Sequence, residues 1–307
     1  MKHTLLRNIM NLELVDIADL DCIYLSYDEP KREAFWVKIQ NLIPWAKHVD
    51  GIKGSDAAHK AAADASETDR FILIDGDNLP DSTFFNLQLE LNNSNKDCVF
   101  RWKAQNIING LQYGNGGMSC WPKEFVYNMR THENSDGSDD TCVEFCFDPN
   151  YWAMNDCYSV TYPNQSPFQA WRAGFREGVK MCLDRGAKPT LQDFKTRVHS
   201  RNYNHLSIWH NIGLDVENGE WAMIGSRLGT YLTMLSDWDY KKVQNFDELE
   251  KLWNEYQTDC QYTETEVNEA LHVRLGLPIV HYNAEQSSFF KHHYKENFIN
   301  KGPMVRE

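Results

Sequence analysis

The chain has 307 residues, 42% of them hydrophobic and 13% aromatic, which is enough to bury a large core. Its formal charge of −13 argues against a surface built throughout for phosphate backbones, which are bound by clustered Lys and Arg. No run approaches the ~18 apolar residues that a membrane span requires, and the opening "MKHTLLRNIMNLELVD" does not read as a secretory signal.

"DCIYLSYDEP" is a β-branched and aromatic run ending in a turn, so a first strand is expected at about 21–27. "KREAFWVKIQNLIP" then spaces Phe35, Trp36, Ile39 and Ile43 near a helical period, with Pro44 as its stop. "AKHVDGIKG" reads as a short second strand, and Asp56 is placed to cap the Ala-rich helix that follows. "RFILID" is apolar on both faces, as a central parallel strand is. Strand, helix, strand, helix, strand predicts an α/β fold, a mixed, mainly parallel sheet flanked by helices.

Farther along, "KDCVFRWKAQNI" reads as a strand, "NGLQYGNGGMSCWP" as a Gly-rich and aromatic stretch, "ENSDGSDD" as a polar loop and "VEFCF" as a strand. "SPFQAWRAGFREGVKMCLDRG" sets Phe168, Trp171, Phe175, Val179 and Leu183 at helical intervals. Ser166 is its N-cap, Pro167 its first position and Gly186 its C-cap. Arg172, Arg176 and Lys180 recur every four residues as one stripe. Between Phe168 and Ile212 eight Lys or Arg stand against three acids, an island of positive charge in an acidic chain. It reads either as a phosphate-facing surface or as a solvated helix face. The sequence beyond Gly225 is mostly helical, which predicts a domain over 1–225 and a helical extension over 226–307.

Eight cysteines are used loosely. Cys22, Cys98 and Cys182 sit in apolar runs as reduced thiols do, and "TCVEFCF" lacks the second pair of a zinc site. A reducing, cytoplasmic compartment is expected.

The chemistry concentrates at "FILIDGDNLPD". Ligands of parallel sheets bind outside the carboxyl ends of the strands, and the ends of the first and third strands are both acidic. Asp75 and Asp77 flank a Gly that lets the backbone turn, and two such carboxylates repel unless a cation lies between them. Mg²⁺ or Mn²⁺ takes carboxylate oxygens and leaves positions for a substrate's phosphates. The plain alternative is an acidic turn, for which Asp-Gly and Asp-Asn are suited.

A buried strand ending in Asp-X-Asp about 50 residues after the first strand resembles the nucleotide-diphospho-sugar glycosyltransferases of GT-A fold. "LSYDEP", "VDGIKG", "DGDN", "GNGG", "SPFQAWRAGFREGVK" and "DVENGEWA", in that order over about residues 20–235, are similar to the TET/J-binding-protein-associated glycosyltransferases. That group occurs in bacteriophages and includes the J-base glucosyltransferase of kinetoplastids. The resemblance implies transfer of a sugar, from a UDP-sugar by expectation, to a hydroxymethylated pyrimidine in DNA, inside the host cytoplasm if the chain is phage-encoded. It implies Asp75 and Asp77 as metal ligands, with His210 or Asp215 as a further ligand. It implies Asp28, Asp75, Arg172, Arg176, Gly116 and Gly117 on the donor side. Glu144 or Asp140 is implied as the base that takes the acceptor's proton, and Tyr113, Trp121 and Trp171 are candidates for stacking a flipped base. A glycan or protein acceptor, or a non-catalytic nucleotide- or DNA-associated module, are the rival expectations.

Overall fold

The computed structural model describes residues 12–113, 117–129, 131, 148–258 and 261–296. It is a mixed α/β structure: an eight-stranded mixed sheet with helices against it, followed by a helical layer.

Strand β1 (Glu13–Asp16) lies outside that sheet and forms a two-stranded antiparallel ribbon with β6 (Gln88–Leu91). The first expected strand is β2 (Asp21–Ser26), followed by helix α1 (Arg32–Leu42), β3 (Lys47–Asp50), helix α2 (Ser55–Ala65) and β4 (Arg70–Asp75). β2 pairs in parallel with both β3 and β4, as an alternating strand–helix pattern requires. α2 is capped by the backbone of Gly54 rather than by Asp56, which sits inside the first turn and pairs with Lys60 at 2.7 Å.

Beyond β4 the sheet becomes mixed, as expected, with antiparallel pairings as prominent as parallel ones. A short β5 (Asn78–Pro80) leads to β6; then come β7 (Val99–Asn106), β8 (Gln112–Tyr113), β9 (Met118–Pro122), helix α3 (Lys123–Asn128) and β10 (Tyr151–Thr161). The order across the sheet is β3-β2-β4-β9-β7-β10-β5, with β8 on β7. β9 runs antiparallel to both β4 and β7, while β7 and β10 are parallel. "MSCWP", expected within a Gly-rich stretch, is thus a central strand. Ile72, Ile74, Cys22, Cys120 and Phe100 fill one face, and Ile23, Leu73, Phe71, Val99 and Trp121 fill the other against α2. The expected strand "VEFCF", Glu144, Asp140 and Gly116 lie outside the described residues.

Helix α4 (Pro167–Lys180) begins as its sequence predicts, with Pro167 at the first position and the Ser166 hydroxyl accepting from Gln169 N–H at 3.2 Å. It ends earlier than expected, at Lys180. Gly186 serves instead in a tight turn, with φ of +88°, where Asp184 and Ala187 bridge. A short α5 (Phe194–Arg197), then α6 (Ser200–Asn211) and α7 (Gly219–Leu235), follow. α8 (Phe246–Thr258), α9 (Glu264–Leu275) and α10 (Ala284–His293) complete the described helices. None of them is long and apolar enough to cross a membrane.

α4 and α7 are packed backbone to backbone. A Cβ on Gly174 would fall on the Ala222 carbonyl, and one on Gly178 would fall on the Ser226 carbonyl. Gly225 and Gly229 of α7 meet the carbonyls of Trp171 and Phe175 in the same way. One apolar cluster then runs from Ile108 through α4, α6 and α7 to Leu277. The expected boundary after residue 225 therefore falls inside α7, within a single core. Gly174→Ala is expected to destabilise the protein by about 1–3 kcal/mol through overpacking. Urea unfolding checks it; an unchanged midpoint would contradict the close approach.

Candidate active site at the strand ends

β2 and β4 end side by side, with Leu25 opposite Asp75. β4 is buried as far as Ile74 and opens at Asp75. The turn beyond is anchored from three directions. The Tyr24 hydroxyl donates to the Gly76 carbonyl at 2.8 Å, Asp75 N–H donates to the Gly117 carbonyl at 2.8 Å, and Tyr162 N–H donates to the Asp77 carbonyl at 2.7 Å. Gly117, with φ of +51°, leaves no room for a Cβ because the Asn78 amide occupies that place.

A third carboxylate joins the two aspartates. Glu29, in the loop after β2, accepts from Tyr27 N–H at 2.8 Å, and its carboxyl lies so close over Gly76 that a Cβ there would stand 2.6 Å away. Asp28 beside it is exposed, and Glu29 is the residue that reaches the turn. No sequence period distinguishes the two.

All three carboxyls are pushed above the ordinary carboxylate range. Desolvation is the largest cause for Asp75, which rises to about 7; the negative charges of Asp77 and Glu29 add to it and Arg101 opposes it. Asp75 nonetheless keeps solvent access, so its desolvation is that of a recess and not of a sealed core. Asp77 is raised by desolvation and held back by hydrogen bonds from Asn78 and Thr161 and by the charge of Arg172. The Asn78 amide donates to Asp77 Oδ1 at 3.2 Å. Glu29 is raised by desolvation, with Asp77 and Asp28 adding repulsion against backbone hydrogen bonds that lower it.

Positive charge meets this turn from the helical layer. The Arg172 guanidinium lies over Phe168 at 5.2 Å and Phe246 at 4.8 Å, and Arg176 lies 5.0 Å from the same Phe246 ring. Phe246 aligns these two arginines as a pair. Lys180 leaves the expected stripe to pair with Glu177 at 2.6 Å. Glu177 also accepts from the Tyr113 hydroxyl at 2.6 Å, and Tyr113 accepts from the Trp209 indole at 2.8 Å. Tyr113 and Trp171 are thereby structural, with Trp171 at 0% exposure. Trp121, at 1% exposure with its indole donating to Ser119, is structural too.

The ends of β2 and β3 carry a second polar network. The Ser26 hydroxyl donates to Asp50 at 2.6 Å and lies 2.8 Å from His48 Nε2, and Arg32 pairs with Asp50 at 3.3 Å.

Two expected ligands are elsewhere. His210 is fully buried between α6 and α7, 3.1 Å from the Thr230 hydroxyl. Desolvation, with Arg227 adding, pushes it down to about 3. Asp215 is taken by Lys291 at 2.5 Å. Among the described residues no group of three or more His, Cys, Asp or Glu is arranged to hold a metal ion. Neither the set of Asp75, Asp77, His210 and Asp215 nor the trio of Glu29, Asp75 and Asp77 is therefore arranged around a common ion; a packed helical histidine and an ion-paired aspartate resemble ligands in sequence alone. Thr161 and Arg101 come to the turn only through strand order, whereas Asn78 adjoins Asp77 in the chain and its role shows only in its hydrogen bond to that carboxylate. No family model matches the chain, and no curated protein and no solved structure matches it.

The raised Asp75 carboxyl makes a signed prediction. A group whose folded pKa exceeds its unfolded value stabilises the fold fully below the unfolded pKa, and that stability is lost as pH rises towards the folded one. For Asp75 the window runs from about 4 to about 7. Asp75→Asn is expected to melt a few degrees higher than the parent protein at pH 8 and to converge with it at pH 4. Melting curves across that range check it, and an equal difference at both ends would contradict it.

Proposed function

We propose that the chain is a GT-A-like glycosyltransferase that moves a sugar from a nucleotide-diphospho-sugar to the hydroxyl of a 5-hydroxymethylpyrimidine in DNA. The observation that carries this reading is the meeting of Glu29, Asp75 and Asp77 at the carboxyl ends of adjacent parallel strands, with the Arg172 charge acting on Asp77. Asp75 and Asp77, raised by burial and, for Asp75, by the neighbouring charge, suit a cation that a substrate's phosphates also hold, and the Arg172 guanidinium suits phosphate oxygens.

The donor set fits a divalent ion of the Mn²⁺ or Mg²⁺ kind in one respect: Mg²⁺ is commonly held by one or two carboxylates together with substrate phosphates and water. Asp75 and Asp77 would supply those carboxylates, without His210 or Asp215. Such an ion stabilises the negative charge that builds on a departing diphosphate.

The chain's own residues do the rest. Arg172, steadied between two phenyl rings, contributes charge to the leaving phosphate. Asn78 and Thr161 hold Asp77 in one orientation, and Glu29 closes the turn over Gly76. In the transfer the acceptor oxygen bonds to the anomeric carbon as the carbon–phosphate-oxygen bond breaks. The bonding pair leaves with the nucleoside diphosphate, and the acceptor's proton passes to a carboxylate, for which Glu144 and Asp140 are the candidates. The chain charge of −13 favours a glycan or protein acceptor for the same chemistry; the positive island over residues 168–212 favours DNA.

The test is sugar incorporation into hydroxymethylcytosine- or hydroxymethyluracil-containing DNA, with UDP-sugars, manganese and chelator. Mass-shifted nucleosides that vanish with chelator are expected. Asp77→Asn is expected to lose at least 100-fold in rate, and Arg172→Ala about 10–100-fold, in the range of a lost electrostatic contact to a developing charge. Donor hydrolysis without DNA modification would move the acceptor to a glycan or protein. No turnover of any donor would contradict the enzyme reading.

A further inference from the structure

We propose that two copies of this chain pair about a two-fold axis through the outer row of α10, formed by Glu285, Phe289 and His293. The pairing stands apart from the glycosyl-transfer reading, because no residue of the acidic turn enters it.

α10 is pinned to the rest of the protein by its other face. Ser287 is fully buried, Lys291 pairs with Asp215 at 2.5 Å and donates to the Ile107 carbonyl at 2.9 Å, and Phe290 and Tyr294 pack on the helical core. The Tyr294 hydroxyl also accepts from the Asn204 amide at 3.0 Å. The helix is thereby a fixed platform, and its outer row is left to solvent. Phe289 is 65% exposed. It stands on the wall of a mostly apolar groove of about 660 Å³, shared with Tyr282, Glu285, Phe290, His293 and Tyr294. A phenyl ring held out beside an apolar groove is a knob next to a hole, which suits a contact surface.

The occupant that fits best is the same surface reversed. Glu285, Phe289 and His293 are spaced four residues apart, so they form one ridge of the helix, with Phe289 midway between an acid and an imidazole. Ridges of this spacing pack on one another at a crossing of about −50°, the commonest class of helix contact. With the second α10 running the opposite way, the Phe289 ring of each copy enters the groove of the other, and Glu285 of each meets His293 of the other at both ends. A parallel arrangement would set acid against acid. A surface that is its own complement closes as a two-fold dimer.

His293 is already oriented for that contact. Its Nδ1 donates to the Phe289 carbonyl at 2.8 Å and its ring stacks on Phe289 at 4.0 Å. A carbonyl only accepts, so Nδ1 carries a hydrogen, and Nε2 donates to a carboxylate once the ring is protonated. The titratable neighbours of that ring are His292, 5.0 Å away on the same helix, and the groove residues Glu285, Tyr282 and Tyr294.

Sedimentation velocity of the full chain over a concentration series at pH 6, where an exposed imidazole mostly carries its proton, tests the proposal. A monomer–dimer equilibrium with a Kd on the order of 10 µM is expected, as for a contact smaller than a standard interface. Phe289→Ser is expected to weaken it roughly tenfold or more, as loss of a central aromatic anchor does, with the melting temperature unchanged because that ring lies outside the core. Glu285→Arg and His293→Glu are each expected to weaken it, and the double variant Glu285→Arg/His293→Glu to restore it, which an effect on folding would not do. A parent protein that stays monomeric would overturn the pairing and leave the groove to another part of the chain or to another protein. A dimer indifferent to Phe289→Ser, or a double variant no better than the single ones, would put the contact elsewhere and overturn it as well.

Discussion

Desolvation of Glu29, Asp75 and Asp77, with repulsion adding to it at Asp75 and Glu29, is the constraint on which the rest of the structure depends. Three carboxyls raised together at one turn oppose folding wherever they are ionised. They persist because the backbone holds them: Asp75 through Gly117, Asp77 through Tyr162, and Glu29 through Tyr27. The strands behind them are buried on both faces, so the turn has a rigid base. Charge concentrated on a rigid base is suited to holding a cation and a polyanion together, and poorly suited to stability for its own sake.

The helical layer supplies the opposite charge through Arg172, which acts on Asp77. Four glycines let α4 and α7 approach until backbone meets backbone, and that contact sets where the α4 N-terminal turn lies. Arg172 and Arg176 project from the exposed side of the same helix onto Phe246 of α8. A change in the α4–α7 contact would thus move the arginines relative to Asp77. Packing and electrostatics are linked through one helix.

Much of this was legible in the residues, and the gaps have physical causes. β4 and its acidic end were readable because an apolar run stops abruptly at two aspartates. α4 was readable because cap, proline and apolar period agree. β9 was not, because "GNGGMSCWP" joins a glycine cluster directly to a strand and the glycines dominate the local pattern. β10 was not, because polar residues such as Asn155 and Asp156 interrupt its alternation, where the pairing with β7 shifts register between Ala153 and Cys157. The mixed character of the sheet follows from those two strands. At the site, Asp28 and Glu29 are adjacent acids in one loop, and only the close approach to Gly76 separates them. His210 looked like a ligand because sequence does not distinguish a histidine facing a neighbouring helix from one facing a cleft.

The most direct measurement of the central claim is the electron paramagnetic resonance of Mn²⁺ titrated into the protein with and without UDP. One bound ion per chain is expected when UDP is present, with much weaker binding in its absence and none resolvable in an Asp75→Asn/Asp77→Asn double variant. Mn²⁺ bound equally well by that variant, or UDP binding indifferent to the ion, would contradict the proposal that a cation and a diphosphate meet at this turn.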